Sequence, residues 1–237
     1  MSLPPLLRDS LALPVIGSPL FIVSNPELVI EQCKAGIVGS FPALNARPEP
    51  VLDQWLTRIE TELAAYRAAH PEAKVAPYAV NQIVHASNTR LQHDVEVCVA
   101  HKVPIMITSL RAPDLVVAAA HSYGGLVLHD VTNITHAKRA IAAGVDGLIL
   151  VCTGAGGHAG TLSPFALVRE VREFYDGTII LSGAIASGDA VLAAQALGAD
   201  LAYMGTRFIA TTEANATPAY KQALVESVAE DIVYTNL

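Results

Sequence analysis

The sequence is short of charge. Only 16% of its 237 residues are Asp, Glu, Lys or Arg, while 52% are hydrophobic; soluble domains carry roughly 25% charged residues. This balance is typical of strands that are buried on both faces, as in parallel sheets, and it argues against disorder. The net charge is −7 and the basic residues form no cluster. Nucleic acid and anionic membrane surfaces are therefore not expected as partners.

Cysteine is also scarce. Cys33, Cys98 and Cys152 lie far apart and form no C-x-x-C pair, so neither a disulfide framework nor a zinc site is indicated. The sequence contains no H-E-x-x-H motif, and no metal is predicted. No apolar run reaches the roughly 18 to 20 residues of a transmembrane helix, and residues 1–20 lack the pattern of a signal peptide. We expect a cytoplasmic enzyme.

Short apolar runs alternate with amphipathic or alanine-rich segments along the whole chain, which predicts repeated strand-then-helix units. The predicted strands are 13–16, 36–41, 74–80, 104–108, 125–128, 147–152, 178–181 and 201–204. The predicted helices are 26–35, 49–69, 89–101, 114–121, 134–143, 164–175, 189–197 and 218–229. No linker or low-complexity tract divides the chain, so residues 1–237 are predicted to form a single domain.

Eight such units most simply close into a (β/α)8 TIM barrel, an α/β fold with its active site at the carboxyl ends of the strands. Two of the units repeat in sequence, A-G-V-D-G-L-I at 143–149 and L-G-A-D-L-A-Y at 197–203. The alternative is an open, doubly wound sheet. It is less favoured because no G-x-G-x-x-G follows the first strand.

A barrel would bring distant residues to one face. The glycine-rich loop 154–160, which contains His158, follows the sixth strand, and S-G-A at 182–184 and G-T at 205–206 follow the next two. Turns after strands seven and eight are the usual phosphate site of this fold, and their hydroxyl and main-chain N–H groups suit an anion. A phosphate site beside an uncharged, glycine-lined groove predicts a flat phosphorylated cofactor, for which FMN is the natural candidate.

Three motifs carry a resemblance to a known family. G-A-G-G-H-A-G, then L-S-G-A-I with Gly188, then A-L-G-A-D-L-A-Y-M-G-T-R-F are similar to the nitronate monooxygenases, also called 2-nitropropane dioxygenases. The resemblance covers most of residues 13–212 and is strongest over 145–208. The related flavin-dependent enoyl reductases have a similar loop, so the motifs are more specific for the superfamily than for the reaction.

The resemblance implies a FMN-binding barrel in which His158 is the catalytic base beside the flavin. It also implies that the cofactor is bound by Asn81, Gly156, Gly157, Ser182, Gly183, Ala184, Gly205 and Thr206. The positions at the strand ends of the barrel add Gly17, Ser18, His129 and Met204 to the predicted cofactor-binding residues. Asn81 would contact the flavin ring. The S-G-A turn and Gly205 with Thr206 would hold the phosphate. The partners would be a small nitroalkane or nitronate substrate and O2, and the oligomeric state is left open.

The sequence departs from the family at four points. Gly17-Ser18-Pro19-Leu20 stands where a glycine-glycine-methionine is common, and His129-Asp130 stands where many members have a lysine. Ala184 replaces the second glycine of an S-G-G turn, a change expected to be tolerated if the backbone angle is ordinary. Family chains also usually run on beyond the eighth unit, so this chain is expected to be a fragment or a shortened member lacking part of the helical cover.

Two other functions are kept open beside the oxidation of nitronates to carbonyl compounds and nitrite. The first is an NAD(P)H-dependent reductase of quinones or enoyl thioesters that uses the same flavin. The second is a non-catalytic barrel that binds a phosphorylated ligand. The sequence shows no nucleotide fingerprint that would decide between the oxygenase and the reductase.

Overall fold

A computed structural model describes residues 3–157 and 159–235. Its centre is a sheet of eight parallel strands, with the order β1-β8-β7-β6-β5-β4-β3-β2. The strands are β1 (Val15–Gly17), β2 (Gly39–Pro42), β3 (Tyr78–Val84), β4 (Ile105–Leu110), β5 (Leu126–Val131), β6 (Gly147–Val151), β7 (Thr178–Ser182) and β8 (Leu201–Met204). A parallel bridge between Ile16 of β1 and Val38, just before β2, closes the ring. The predicted TIM barrel is confirmed.

Helices follow the strands and surround the barrel. They are α1 (Pro5–Ser10), α2 (Pro26–Lys34), α3 (Val51–Ala69), α4 (Leu91–Ala100), α5 (Asp114–His121), α6 (Ile134–Ala142), α7 (Pro164–Arg172), α8 (Gly188–Leu197), α9 (Thr206–Ile209) and α10 (Pro218–Glu226). Side-chain caps begin several of them: the Oδ1 of Asn25 accepts from Leu28 N–H, and Asn133 does the same for His136 N–H. Such caps satisfy main-chain donors that the first helical turn leaves free.

Side chains alternate between the barrel interior and the helical layer, as the period of two in a strand requires. The interior holds Ile105, Ile107, Leu128, Ile149 and Ile180, all buried in one apolar cluster. Leu7 and Leu11, in and just after α1, belong to the same cluster. The helix α1, which the sequence analysis missed, therefore closes the amino end of the barrel.

Several predicted bounds were wrong. Strand β3 covers Tyr78–Val84 rather than 74–80, and β5 continues to Val131 rather than ending at 128. Both strands extend through polar residues, Asn81 with Gln82 and His129 with Asp130. Because the carboxyl end of the barrel interior is itself polar, Asn81 and Asp130 do not end these strands. Strands β1 and β2 also begin later than predicted.

Candidate active site

A ring of polar side chains lies at the carboxyl end of the barrel interior. Each member has the same strand parity as the interior apolar residues, for example Asn81 with Ala79 and Asp130 with Leu128. We call this ring the strand-end polar layer. Its members are Ser40, Asn81, Ser109, Asp130, Ser182 and Tyr203. Polar groups placed here mark the position where barrels of this type bind ligands.

Three members of the layer form a chain of hydrogen bonds across neighbouring strands. The Nδ2 of Asn81 donates to the Oγ of Ser109 at 3.1 Å, and that hydroxyl donates to the Oδ2 of Asp130 at 2.6 Å. Asn81 is almost completely buried. These hydrogen bonds hold the Asp130 carboxyl group through its Oδ2 atom, which accepts from Ser109.

Two buried polar atoms in the layer have no partner among the described residues. They are the Oδ1 of Asp130 and the hydroxyl oxygen of Tyr203. Burial raises the pKa of Asp130 to about 6, although the hydrogen bond from Ser109 acts in the opposite direction. Burial, and then the charge of Asp130, raises the pKa of Tyr203 well above its usual value. Buried polar atoms are costly to leave unpaired, which makes them candidates for ligand contact.

The loops after β6 and β7 are joined at the same end of the barrel. The N–H of Ala184 donates to the carbonyl oxygen of Gly154 at 2.9 Å, and Cys152 N–H donates to Ser182 O at 2.9 Å. Gly183 has a φ of +148°, and a Cβ placed on it would lie 2.7 Å from the carbonyl oxygen of Thr153. Glycine is required there because the two loops come so close together.

Gly156 and Gly157 lie in open space. A Cβ placed on either residue would meet no atom of the described residues within 4 Å, and Gly157 has a φ of +71°. Their missing side chains therefore leave room that the rest of the described chain does not fill. His158, the predicted catalytic base, lies outside the described residues.

The expectation for Ala184 was conditional on an ordinary backbone angle, and that condition does not hold. Ala184 has a φ of +52°, in the left-handed region where a side chain is unfavourable and glycine is preferred. The alanine is held there by its bond to Gly154. The turn Ser182-Gly183-Ala184 thus keeps a shape that suits the S-G-G sequence.

The ends of β1 and β8 lie together. Ser18 N–H donates to the carbonyl oxygen of Met204 at 2.7 Å, and a Cβ on Gly205 would lie 3.6 Å from the Oγ of Ser18. Thr206, which begins α9, is exposed. Gly17 differs from these residues because the side chain of Gln32 fills the space beside it. A Cβ added to Gly17 would lie 2.3 Å from the Nε2 of Gln32.

The structure does not place His129 with the other predicted residues. Its parity matches that of Val127 and Val131 in the outer cluster, so the ring faces the helical layer rather than the interior. There its Nδ1 lies 2.8 Å from the Oγ1 of Thr108. Burial, and then the charge of His136, lowers the pKa of His129 to about 4. Of these two neighbouring residues, Asp130 is the one whose side chain faces the barrel interior.

Sequence reasoning did not assign Tyr203 to the site and did not give Asp130 a role of its own. The signal for both was the alternation of side chains in the strands. Asp130 follows Leu126 and Leu128 at spacings of two, and Tyr203 follows Leu201. Once β5 is extended to Val131, both residues must face the interior.

Within residues 3–157 and 159–235 no group of three or more His, Cys, Asp or Glu side chains is arranged to hold a metal ion. In that same part of the chain, no helix combines the length and apolar character needed to cross a membrane. The three cysteines are free and buried.

The fold is a (β/α)8 barrel, and the strand-end polar layer is its candidate ligand site. A protein-family model described as nitronate monooxygenase matches residues 56–237. This match covers more than half of the chain. The chain belongs to the nitronate monooxygenase family, which is a family of oxidoreductases.

Curated relatives agree with that assignment. A nitronate monooxygenase of Paraburkholderia phytofirmans is 28% identical, over 94% of this chain and 70% of its own length. A nitronate monooxygenase of Neurospora crassa is 26% identical, over 89% of this chain and 63% of its own length. The chain thus spans about two thirds of the length of these relatives.

Solved structures share the fold. The M276A mutant of FabK from Thermotoga maritima superposes with a TM-score of 0.78 at 26% identity, covering 94% of this chain and 69% of the other. A nitroalkane oxidase from Streptomyces ansochromogenes superposes with a TM-score of 0.76 at 24% identity, covering 92% and 72%. The second likeness is evidence for the fold alone.

Proposed function

We propose that this chain is the FMN-binding barrel of a nitronate monooxygenase, which oxidises alkyl nitronates or nitroalkanes with O2 to carbonyl compounds and nitrite. The observation that carries the proposal is the pair of buried, unpartnered polar atoms on Asp130 and Tyr203. They lie toward the carboxyl ends of β5 and β8, at the same end of the barrel as the glycine loop at 154–157, which follows β6. Membership of the family supplies the reaction class.

The residues present fit a flavin. The open space at Gly156 and Gly157 suits a flat ring that lies against the main chain. Asn81 and the unpartnered atoms of the strand-end polar layer would face the polar edge of that ring. The turns Ser182-Gly183-Ala184 and Gly205-Thr206, with Ser18 beside Gly205, would hold the phosphate.

In this proposal His158 is the group that handles the substrate proton. As neutral imidazole it removes the acidic α-proton of a nitroalkane, and as imidazolium it stabilises the charge of a nitronate; an ordinary histidine pKa of about 6.5 allows both. The apolar floor beneath the site, which includes Ile107, Leu128 and Ile149, excludes water and strengthens these electrostatic interactions. Bound FMN would supply electron acceptance and the reaction with O2.

The first test is cofactor binding. Apo-protein titrated with FMN should show the changed absorbance and quenched fluorescence of a bound flavin. Riboflavin, which lacks the phosphate, should bind more weakly if the turns after β7 and β8 hold that group. A protein that binds neither compound would contradict the proposal and favour the non-catalytic barrel.

The second test is the reaction. FMN-loaded protein mixed with a nitroalkane or its nitronate should consume O2 and release nitrite. His158→Asn should bind FMN normally and lose most turnover, by about 10²- to 10⁴-fold. His70→Asn is a matched control, because His70 is exposed at the end of α3. Unchanged nitrite release by His158→Asn would remove this residue from the mechanism.

The third test separates the oxygenase from a reductase. Under anaerobic conditions, nitronate should bleach the flavin absorbance of the loaded protein, whereas NADH and NADPH should not. Rapid bleaching by either nucleotide, followed by reoxidation with a quinone or an enoyl thioester, would establish the reductase instead.

A further inference from the structure

We propose that Asp130 is a ligand-facing residue of this site, whose Oδ1 carries a proton and donates it in a hydrogen bond to the electron-rich polar edge of the flavin ring. This inference rests on the proposed function, because the flavin is its ligand.

The first support is the geometry of the carboxyl group. Asp130 lies on the interior face of β5, between Ser109 of β4 and Ile149 of β6. Its Oδ2 accepts the 2.6 Å hydrogen bond from Ser109, which is itself held by Asn81. Its Oδ1 is buried and has no partner among the described residues. One oxygen is thus fixed and the other is left free for a ligand.

The second support is the shortage of compensating charge. Among the side chains around Asp130, Ser109 and Asn81 are neutral and Ile149 is apolar. Tyr203 is the titratable residue that interacts electrostatically with Asp130 inside the barrel. His129, next in the chain, faces the opposite side of the strand and bonds to Thr108. No described Lys or Arg forms an ion pair with Asp130. Burial without a cation favours the neutral acid, and its pKa is raised to about 6.

A neutral carboxyl group can do what an ionised one cannot. It offers an O–H donor at Oδ1 while Oδ2 still accepts from Ser109. The carbonyl oxygens and unprotonated ring nitrogens at the edge of a flavin are acceptors, and they become more electron-rich on reduction. A donor is therefore favourable opposite these acceptor atoms, whereas a carboxylate in the same place would be repelled by them. The Tyr203 hydroxyl is placed to add a second donor.

The test is the pH dependence of flavin affinity in the full chain, measured by fluorescence quenching with FMN and with riboflavin. From about pH 5 to about pH 8, a range that brackets the Asp130 pKa of about 6, affinity of the native protein should fall at least about tenfold. Asp130→Asn is permanently neutral and keeps an N–H donor, so its affinity should fall much less over that range than the affinity of the native protein. Asp130→Ala should bind weakly at every pH.

Asp146→Asn is the matched control. Asp146 precedes β6 at the amino end of the barrel, where it accepts from Val127 N–H, and this variant should follow the native pH profile. Circular dichroism and thermal melting of each apo-variant establish that it is folded. The midpoint potential of the bound flavin is a second readout, and it should change less with pH in Asp130→Asn than in the native protein.

The outcomes separate the two proposals. Native protein that binds no flavin at any pH would overturn the proposed function. Native protein that binds flavin with an affinity independent of pH, together with a folded Asp130→Ala that binds equally well, would overturn the role of Asp130 and leave the proposed function standing. Equal effects on FMN and riboflavin would place the contact at the ring rather than at the phosphate.

Discussion

The main-chain N–H of Ala184 donates to the carbonyl oxygen of Gly154 at 2.9 Å, and this bond joins the loops that follow β6 and β7. The two residues also limit each other's side chains. A Cβ on Gly154 would lie 2.9 Å from the Cβ of Ala184, and both residues have a positive φ. The shape of the glycine loop therefore depends on the turn after β7.

Ala184→Gly is expected to stabilise the protein. At a φ of +52° a side chain costs about 1–2 kcal/mol, while the added freedom of glycine in the unfolded chain costs about 0.4–1 kcal/mol. The free energy of unfolding should rise by about 0.5–1 kcal/mol in urea titration. Ala155→Gly, in the same loop system but without a positive φ, should give no gain. A loss in Ala184→Gly would show that the methyl group packs more favourably than its angle costs.

Gly154→Ala should have the opposite effect. The new methyl group meets Ala184 at 2.9 Å with a φ of +84°, so the free energy of unfolding should fall by about 2–3 kcal/mol. Gly188→Ala is the control, since a Cβ there meets nothing within 4 Å and alanine favours helix. Combining Gly154→Ala with Ala184→Gly removes one of the clashing methyl groups. The double variant should recover part of the loss, and strict additivity would contradict the contact.

The architecture was readable from sequence because buried parallel strands appear as short apolar runs between helices. Strand β8 and helix α5 were predicted with their observed bounds, 201–204 and 114–121. The carboxyl ends of β3 and β5 were not, because Asn81 and Asp130 are polar and polar residues normally signal the end of a buried strand. The polar residues of the site are therefore the reason that these two strands were predicted to end too early.

The site itself was only partly predictable. The glycine loop and the turns after β7 and β8 are marked by local composition. That Asp130 faces the interior while His129 faces the helices depends on register, which a strand ending at residue 128 does not define. The positive φ of Ala184 depends on the neighbouring loop, so no local pattern could reveal it.

Asp200→Ala should destabilise the protein more than Asp146→Ala. Each aspartate accepts a main-chain N–H at the start of a neighbouring strand, Ile179 at 2.8 Å and Val127 at 2.7 Å. Asp200 also pairs with Arg172 at 2.6 Å, with both side chains largely buried, whereas the partner of Asp146 is the more exposed His121. Removing Asp200 leaves a buried guanidinium without its anion.

The expected losses in the free energy of unfolding are about 3 kcal/mol for Asp200→Ala and about 1 kcal/mol for Asp146→Ala. Urea titration of both variants at one pH provides the comparison. Arg172→Met in the Asp200→Ala background should restore part of the loss, because the unpaired charge is then gone. Equal losses in the two single variants would mean that the strand-start bond, and not the ion pair, determines stability.

His129 should make the protein less stable as the pH falls. Its pKa is lowered from 6.5 to about 4 by burial and by the charge of His136, so below pH 6.5 the unfolded chain binds a proton that the folded chain does not. Stability is complete above pH 6.5 and declines as the pH falls toward 4. By linkage the contribution is about 2 kcal/mol at about pH 5.

His129→Gln removes this titration and can still form a hydrogen bond to Thr108. The difference in the free energy of unfolding between this variant and the native protein should therefore change by about 2 kcal/mol from about pH 8 to about pH 5. Asp130 acts in the opposite sense, because its raised pKa adds stability as the pH falls through 6, but it is present in both proteins. His136→Asn, which removes the neighbouring charge, should shrink the native decline. Native and His129→Gln curves that run parallel would show that His129 is protonated in the folded barrel, which its burial against Thr108 opposes.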